Sequence, residues 1–485
     1  MPWVLASLLL APAAWAQGHA AAETVLGDLP RPAPPPSAVR YNVRLTDLDT
    51  ATVTVCVDGA AERLVPGVPG AQALVARPVR LTSLYHLPLA VDDRGIDVST
   101  VEPGECVRFV TSLAVAGSTE RPLVRRVGAD VVLDPAIWLW RPEVLPEGAS
   151  VTLHLALPPG VGASVPWPFV VGQSGPYRLG PSALRRPSRL ALGALEQHVV
   201  KVTGGELDVA ILDGRRRATD QGVRRWLLEA AHASTLVYGT LPADRVQVLV
   251  EPVVDTSGWP VPFAEVLRGG GVGLHLRVAA TATDEQLAGD DHMALHSLAH
   301  LLLPRLGPDA AWLEEGIATY YQVVLRARAG ARPPEDAIAR LDHGFRHARV
   351  QEAGISAVAT RGKAGAEPVG DAAWHRWAGT AFALAADVRL RSMNTGDSLD
   401  GALASLRTCC MGDVTYTARQ LVTLLDEATH TTVFSTLYED AANTHGVPSL
   451  DRLYEILGMG VQDGRVATTN LAPYAYVRLS IFSAR

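Results

Sequence analysis

In the stretch ALHSLAHLLLPRLGPDAAWLEEGIATYY, Ala294 to Tyr321, two histidines, His296 and His300, are four residues apart, and Glu315 stands directly before Gly316. Residues at i and i+4 share one face of a helix, so both imidazoles project from the same side of one rod. His292 extends the stripe by one turn, and Pro304 stops it. A second helical run, AWLEEGIATYY, begins within a few residues. If that helix folds back across the first, Glu315 joins the two histidines and completes three corners of a tetrahedral metal site, with the fourth left for water. A fold for this chain therefore has to bring the two helices together. The histidine pair alone is weak evidence, because 14 histidines in 485 residues give roughly 0.4 such pairs by chance. Glu315, at the right distance in its own helix, changes that balance.

Around this centre the chain has three textures. From residue 40 to 190, short alternating or β-branched runs such as ATVTVCV and SVTLHLALP are separated by Gly, Pro and Asp turns, which predicts a β-sandwich. From 191 to 330, strands (ELDVAIL, RVQVLVEPV, GVGLHLRV) mix with helices (DQGVRRWLLEAAHASTLVYG), an α+β segment that feeds the two motif helices. From 331 to 485, amphipathic helices dominate.

The composition, 48% hydrophobic and 19% charged, provides for real cores, and a net charge of -7 without basic blocks excludes the electrostatic footprint of a nucleic-acid binder. Residues 1–16, MPWVLASLLLAPAAWA, have an apolar core and a small-x-small site, the pattern of a secretory signal, although no Lys or Arg precedes the core. Residues 17–39, with PRPAPPP in their middle, read as an extended tether. No other window approaches the roughly 18 apolar residues of a membrane span. The expectation is an exported protein, periplasmic or extracellular, with no integral membrane segment in the mature chain.

Export would let Cys56 and Cys106 pair, since both sit in strand-like runs of the first segment. Cys409 and Cys410 are adjacent, and neighbours seldom bridge each other. They are expected to pair elsewhere or to stay buried as small hydrophobes.

With these residues in view, the chain resembles the gluzincin metallopeptidases, nearest the glycyl-aminopeptidase family, whose helices carry HExxH followed by W-L-x-E-G. The runs IWLWRPEVLPEGASVTLHLALPPG, LVYGTLPADRVQVLVEP and TAFALAADVRLRSMNTGDSLDGAL are similar to family segments before and after the metal site. The resemblance implies an α+β chain with an N-terminal β-sandwich, a thermolysin-like zincin domain and a C-terminal helical domain. It also implies Zn2+ held by His296, His300 and Glu315. In that family a Gly-rich strand borders the cleft and pairs with substrate backbone, which puts Gly270 and Gly271 forward as substrate-binding residues. An ordinary bulge or hairpin there is the alternative reading.

Two departures set the functional expectation. Ser297 stands where the family has the glutamate that takes a proton from the metal-bound water. Counting back from Gly379 and Asp387 puts Arg376, with His375 beside it, near the place of the oxyanion-binding tyrosine. Losing a general base costs roughly 10²–10⁴ in rate and losing an oxyanion donor roughly 10²–10³. Neither Glu314, rotated about 100° from Glu315, nor His292, one turn away, replaces the missing base convincingly. The catalytic set is thus unknown. The expectation is a zinc-binding, catalytically inactive metallopeptidase homologue that binds a peptide or protein ligand. The alternatives are an active zinc hydrolase with an atypical general base, or a structural protein without metal.

Overall fold

The structure, a computed structural model, describes residues 38–116, 123–145, 148–169, 175–289, 293–351, 373–393, 395–443, 447–462 and 464–483. The expected signal, residues 1–16, and His292 lie outside the described residues, as does the expected tether up to residue 37. The tether ends sooner than its composition suggests, because a strand already runs over Ala38–Leu45.

That strand buries Val39, Tyr41, Val43 and Leu45 and exposes the residues between them, so alternation fixes its inner face. It is the third strand of a seven-stranded sheet ordered Tyr177–Leu179, Ser150–Ala156, Ala38–Leu45, Thr50–Val57, Cys106–Ser112, Val75–Leu81, His86–Pro88. Two four-stranded sheets complete the N-terminal part. Trp138, Trp140, Trp167 and Phe109 fill its core at 0% exposure. The Tyr41 hydroxyl donates to the Trp140 carbonyl at 2.7 Å. Cys56 and Cys106 are directly opposite on neighbouring strands and form a disulfide, with Cα atoms 4.2 Å apart.

A five-stranded sheet follows, ordered Glu196–Val202, Gly205–Ile211, Arg245–Val253, Gly273–Ala279, Phe263–Leu267. Its three central strands are parallel and its two outer strands antiparallel. A parallel pair needs a crossover, and helix α1, Asp220–Tyr238, makes the first one, with Thr219 capping its start and Gly239 in the left-handed region ending it. Helices α2 (Met293–His300), α3 (Ala311–Arg328), α4 (Pro334–Gln351), α5 (Ala373–Ser392) and α6 (Leu399–Cys409) follow. One hydrophobic core extends from Val200 to Phe482, so the sheet and all these helices pack as a single body.

Helix α3 is apolar almost all round, with Ile317, Ala318, Tyr320, Tyr321 and Val324 fully buried, and it lies at the centre of the helical layer. It crosses α5 at two glycines. A Cβ added to Gly316 would lie 2.2 Å from the Gly379 carbonyl carbon, and one added to Gly379 would lie 2.0 Å from the Trp312 carbonyl oxygen. Further along, Arg328 is fully buried and bonds both Asp400 oxygens at 2.9 and 3.0 Å. The Tyr320 hydroxyl donates to Asp387 at 2.6 Å and that of Tyr321 to Asp400 at 2.9 Å.

The expectation for Cys409 and Cys410 needs correction. They form a disulfide with each other. Cys410 caps α6 outside helical geometry, at φ −126° and ψ 1°, and the bridge closes where the chain leaves the helix. Cys410 is buried, but Cys409 is exposed, so neither remains as a free buried hydrophobe.

Candidate metal centre

Helix α2 turns His296 and His300 to one side, and both are nearly buried, at 6% and 8% exposure. Their Nε2 atoms are 3.1 Å apart. Pro304 and a short 3-10 turn at Pro308–Ala310 reverse the chain, and α3 returns Glu315 to the pair. Its carboxylate oxygens lie 3.4 Å from His296 Nε2 and 3.5 Å from His300 Nε2. Donors held about 2.0–2.2 Å from one ion at tetrahedral angles are about 3.3–3.6 Å from each other. The three separations fit one face of such a tetrahedron to within about 0.2 Å. The Glu315 side chain is 46% exposed, so the cluster opens to solvent on its side.

The protonation states suit a cation. Burial pushes the Glu315 carboxyl up, but the hydrogen bond with His296 and the charges of His300, His296 and Arg376 outweigh it and hold the group at about 2. Burial lowers His296 below the ordinary imidazole value, and its bond to Glu315 only partly opposes that. An ionised carboxylate and a neutral imidazole are the forms that bind metal.

The surrounding groups support one histidine better than the other. Glu314 places Oε1 3.4 Å from His300 Nδ1, the far nitrogen of the ring, which favours the tautomer with Nε2 free for a metal. Arg268, just after the strand Phe263–Leu267, donates to the carbonyl oxygens of Leu303, at 2.9 Å, and His300. It thereby ties the end of α2 and the turn after it to the five-stranded sheet. His296 Nδ1, in contrast, is buried without a partner among the described residues. An N–H left there costs about 1–3 kcal/mol. The donor set as a whole fits zinc.

Ser297 follows His296 in α2 and is buried, at 1% exposure. Arg376 is exposed on α5, forms no ion pair among the described residues, and its charge reaches both His296 and Glu315. At Gly270 and Gly271 the structure shows close contacts with the N-terminal part of the chain. Gly270 occupies a turn at φ +78°, against Ala183, and a Cβ on Gly271 would lie 2.2 Å from the Pro166 carbonyl oxygen. Together with the bond from Trp167 Nε1 to the Gly269 carbonyl, at 2.8 Å, this makes the glycine run the seam with the N-terminal sheets. The close backbone approach that glycine permits is made to the protein itself.

The sequence reading weighed Glu314 only as a base and missed Arg268. The position of Glu314, one helical step from Glu315, could have suggested a carboxylate behind a ligand, whereas Arg268 has no sequence signal at all. A second carboxylate and imidazole group, Glu196, His198 and Asp220, also lies within 4.8 Å. There Arg216 already pairs with both acids.

No protein-family model and no curated protein matches the sequence. Solved structures do match. An aminopeptidase N family protein from Idiomarina loihiensis superposes with a TM-score of 0.64 at 14% identity, covering 87% of this chain and 79% of that one. The M1 zinc metallopeptidase from Deinococcus radiodurans superposes with a TM-score of 0.50 at 16% identity, covering 86% and 95%. A glutamate-to-alanine mutant of the latter, bound to Tyr-Ser-Ala substrate, gives 0.52 at 16% identity, covering 86% and 96%. The fold is that of the M1 zinc metallopeptidases. At such identities the likeness speaks for the fold, and the chemistry has to be argued from the residues present.

Proposed function

We propose that this chain is an exported, zinc-binding homologue of the M1 metallopeptidases that binds peptide without cleaving it. The observation that carries the reading is a donor triad with tetrahedral spacing next to a buried serine. Bound at His296, His300 and Glu315, zinc would supply a Lewis acid for a carbonyl oxygen or a water. The neighbouring residues supply no proton acceptor to match. The Ser297 hydroxyl is not a base at neutral pH, and the Glu314 carboxylate faces His300 Nδ1 rather than the open side of the cluster. Arg376 offers a fixed positive charge suited to holding a carboxylate, and it cannot release a proton to do acid–base work.

Peptide binding by a chain of this fold that lacks a glutamate has a parallel in the Deinococcus mutant, which holds its Tyr-Ser-Ala substrate with a glutamate replaced by alanine. Export is supported by the N-terminal sequence and by the cysteines, all of which are paired in disulfides. The test is elemental analysis of the purified chain, followed by peptide binding and hydrolysis assays. The reading expects one zinc per chain, loss of that zinc in His300→Ala, and peptide capture without turnover. Robust metal-dependent cleavage by the unmodified chain would overturn the inactive reading, and protein free of zinc would overturn the metal assignment.

A further inference from the structure

A cavity of about 540 Å³ opens between the second half of α3, the start of α4 and the loop around Trp259. Its charged lining is predominantly cationic. Gln322 and Arg326 of α3, Arg332 just before α4, and Asp336 and Arg340 of α4 line it. Three guanidiniums thus face one carboxylate.

These charges are not spent on one another. Among the described residues Arg332 and Arg340 form no ion pair, and Asp336, one turn from Arg340, pairs with neither. Arg332 donates to the carbonyl oxygen of Gly289, a bond that neutralises no charge. Burial, then the positive charges of Arg376 and Arg332, depress the Arg340 guanidinium. Arg332 and Arg340 are exposed at the cavity and carry like charge, so an anion arriving between them is attracted by both.

The cavity is also placed to act together with the metal centre. Seven residues separate Glu315 from Gln322, which puts the two side chains within about 20° of each other around α3 and about 10 Å apart along it. An extended peptide covers that distance in about three residues. The charge of Arg376 reaches both, acting on His296 and Glu315 and also on Arg340.

We propose that this cavity is a subsite for a carboxylate-bearing residue of a bound peptide, about three residues from the group that sits at the metal centre. The inference rests on the peptide-binding reading above. It adds a substrate class, acidic peptides, and assigns recognition to Arg332 and Arg340. Guanidinium is suited to the task because its planar fork matches a carboxylate and stays charged at any physiological pH.

The experiment is fluorescence anisotropy on the full, zinc-loaded chain, with labelled C-terminally amidated tetrapeptides of alanine in which the fourth residue is Glu, Gln or Lys. The Glu peptide should bind roughly 10- to 100-fold more tightly than the Gln peptide, and the Lys peptide more weakly than either. Arg332→Gln with Arg340→Gln should abolish the Glu preference while leaving zinc content unchanged, and Arg340→Lys should keep part of it. Equal binding of all three peptides would overturn the subsite and leave peptide binding standing. So would a Glu preference that survives the double variant. Binding of none of them would overturn the peptide reading together with the subsite.

Discussion

Substituting Gly316 by alanine tests how the metal centre is positioned. A Cβ at this place would lie 2.2 Å from the carbonyl carbon of Gly379, 2.3 Å from its Cα and 2.6 Å from the Thr380 nitrogen. Carbon atoms in contact sit about 3.5–4.0 Å apart, so α3 and α5 must separate by more than about 1 Å. All three neighbours are backbone, and no rotamer can absorb the clash. The helices are also fastened on either side, by Thr380 donating to the Gly316 carbonyl at 3.2 Å and by the bond from Tyr320 to Asp387. Overpacking costs about 1–3 kcal/mol and sometimes more. Alanine in a helix interior returns about 1 kcal/mol of that through propensity, which leaves a net loss of up to about 2 kcal/mol.

The second readout is zinc. Glu315 is the adjacent residue, and a displacement on the order of 1 Å is several times the roughly 0.2 Å tolerance of a metal ligand. Affinity in competition with a chromogenic chelator should fall at least tenfold. The control is Gly401→Ala in α6, where a Cβ meets only Ser398 Oγ, at 3.6 Å, and where alanine should stabilise slightly. A Gly316→Ala protein with the denaturation midpoint and zinc affinity of the control would refute the close crossing and the account of Glu315 placement built on it.

Ser297→Glu should give zinc-dependent peptide hydrolysis above the parent by roughly 10²–10⁴, the usual contribution of a general base, and a variant that retains zinc yet stays at background would show that more than the base is missing. His275 is 2% exposed, with Nε2 2.7 Å from Glu251. Burial first, then the charges of Arg125 and Arg277, lower it to about 3. Because the folded value lies below the unfolded one, its contribution to stability is nil above about pH 6.5 and increasingly unfavourable as pH falls toward 3, on the order of 5 kcal/mol in total. His275→Gln should therefore flatten the pH dependence of the melting temperature in that window, and an identical slope would count against the assignment. Asp400→Ala removes the partner that bonds Arg328 through both oxygens, leaves a buried guanidinium exposed to that loss, and should cost about 3–5 kcal/mol in chemical denaturation; an unchanged midpoint would argue that the Arg328 network is not a closed one.

The parts of the fold legible in the sequence are those set by local periodicity. Alternation in Ala38–Leu45 marks a half-buried strand whatever its partner is. The four-residue histidine spacing and Pro304 define a helix and its end. The spacing could also bring Glu315 back to the histidines, because the turn between the helices is too short to take it elsewhere. What depends on distant partners was not legible. The glycines at 269–271 announce a close approach without saying to what, and the partner proved to be Pro166, Ala183 and the carbonyl of Pro187. The adjacent cysteines were judged by their usual avoidance of one another, without knowledge that the chain leaves a helix at Cys410. The arginine cavity draws on segments near residues 259, 322 and 340, and no single window of sequence contains it.

A donor triad beside a serine at position 297 becomes less puzzling when the size of α2 is considered. It has only eight residues, and helices shorter than about 12–15 residues are marginal on their own. Its end is tied to the strand Phe263–Leu267 through Arg268, and its face to α3 through the histidines and Glu315. The three donors would otherwise form an ionised carboxylate beside two close, largely buried imidazole nitrogens, an arrangement that a cation stabilises. Zinc binding free energy at such a site is folding free energy, since the unfolded chain cannot assemble the donors. His296, His300 and Glu315 can thus hold the wall of the cleft in place, with Arg376 at its rim, whether or not a proton acceptor stands at position 297. On the proposed reading, a serine at position 297 removes turnover and leaves the architecture that binds.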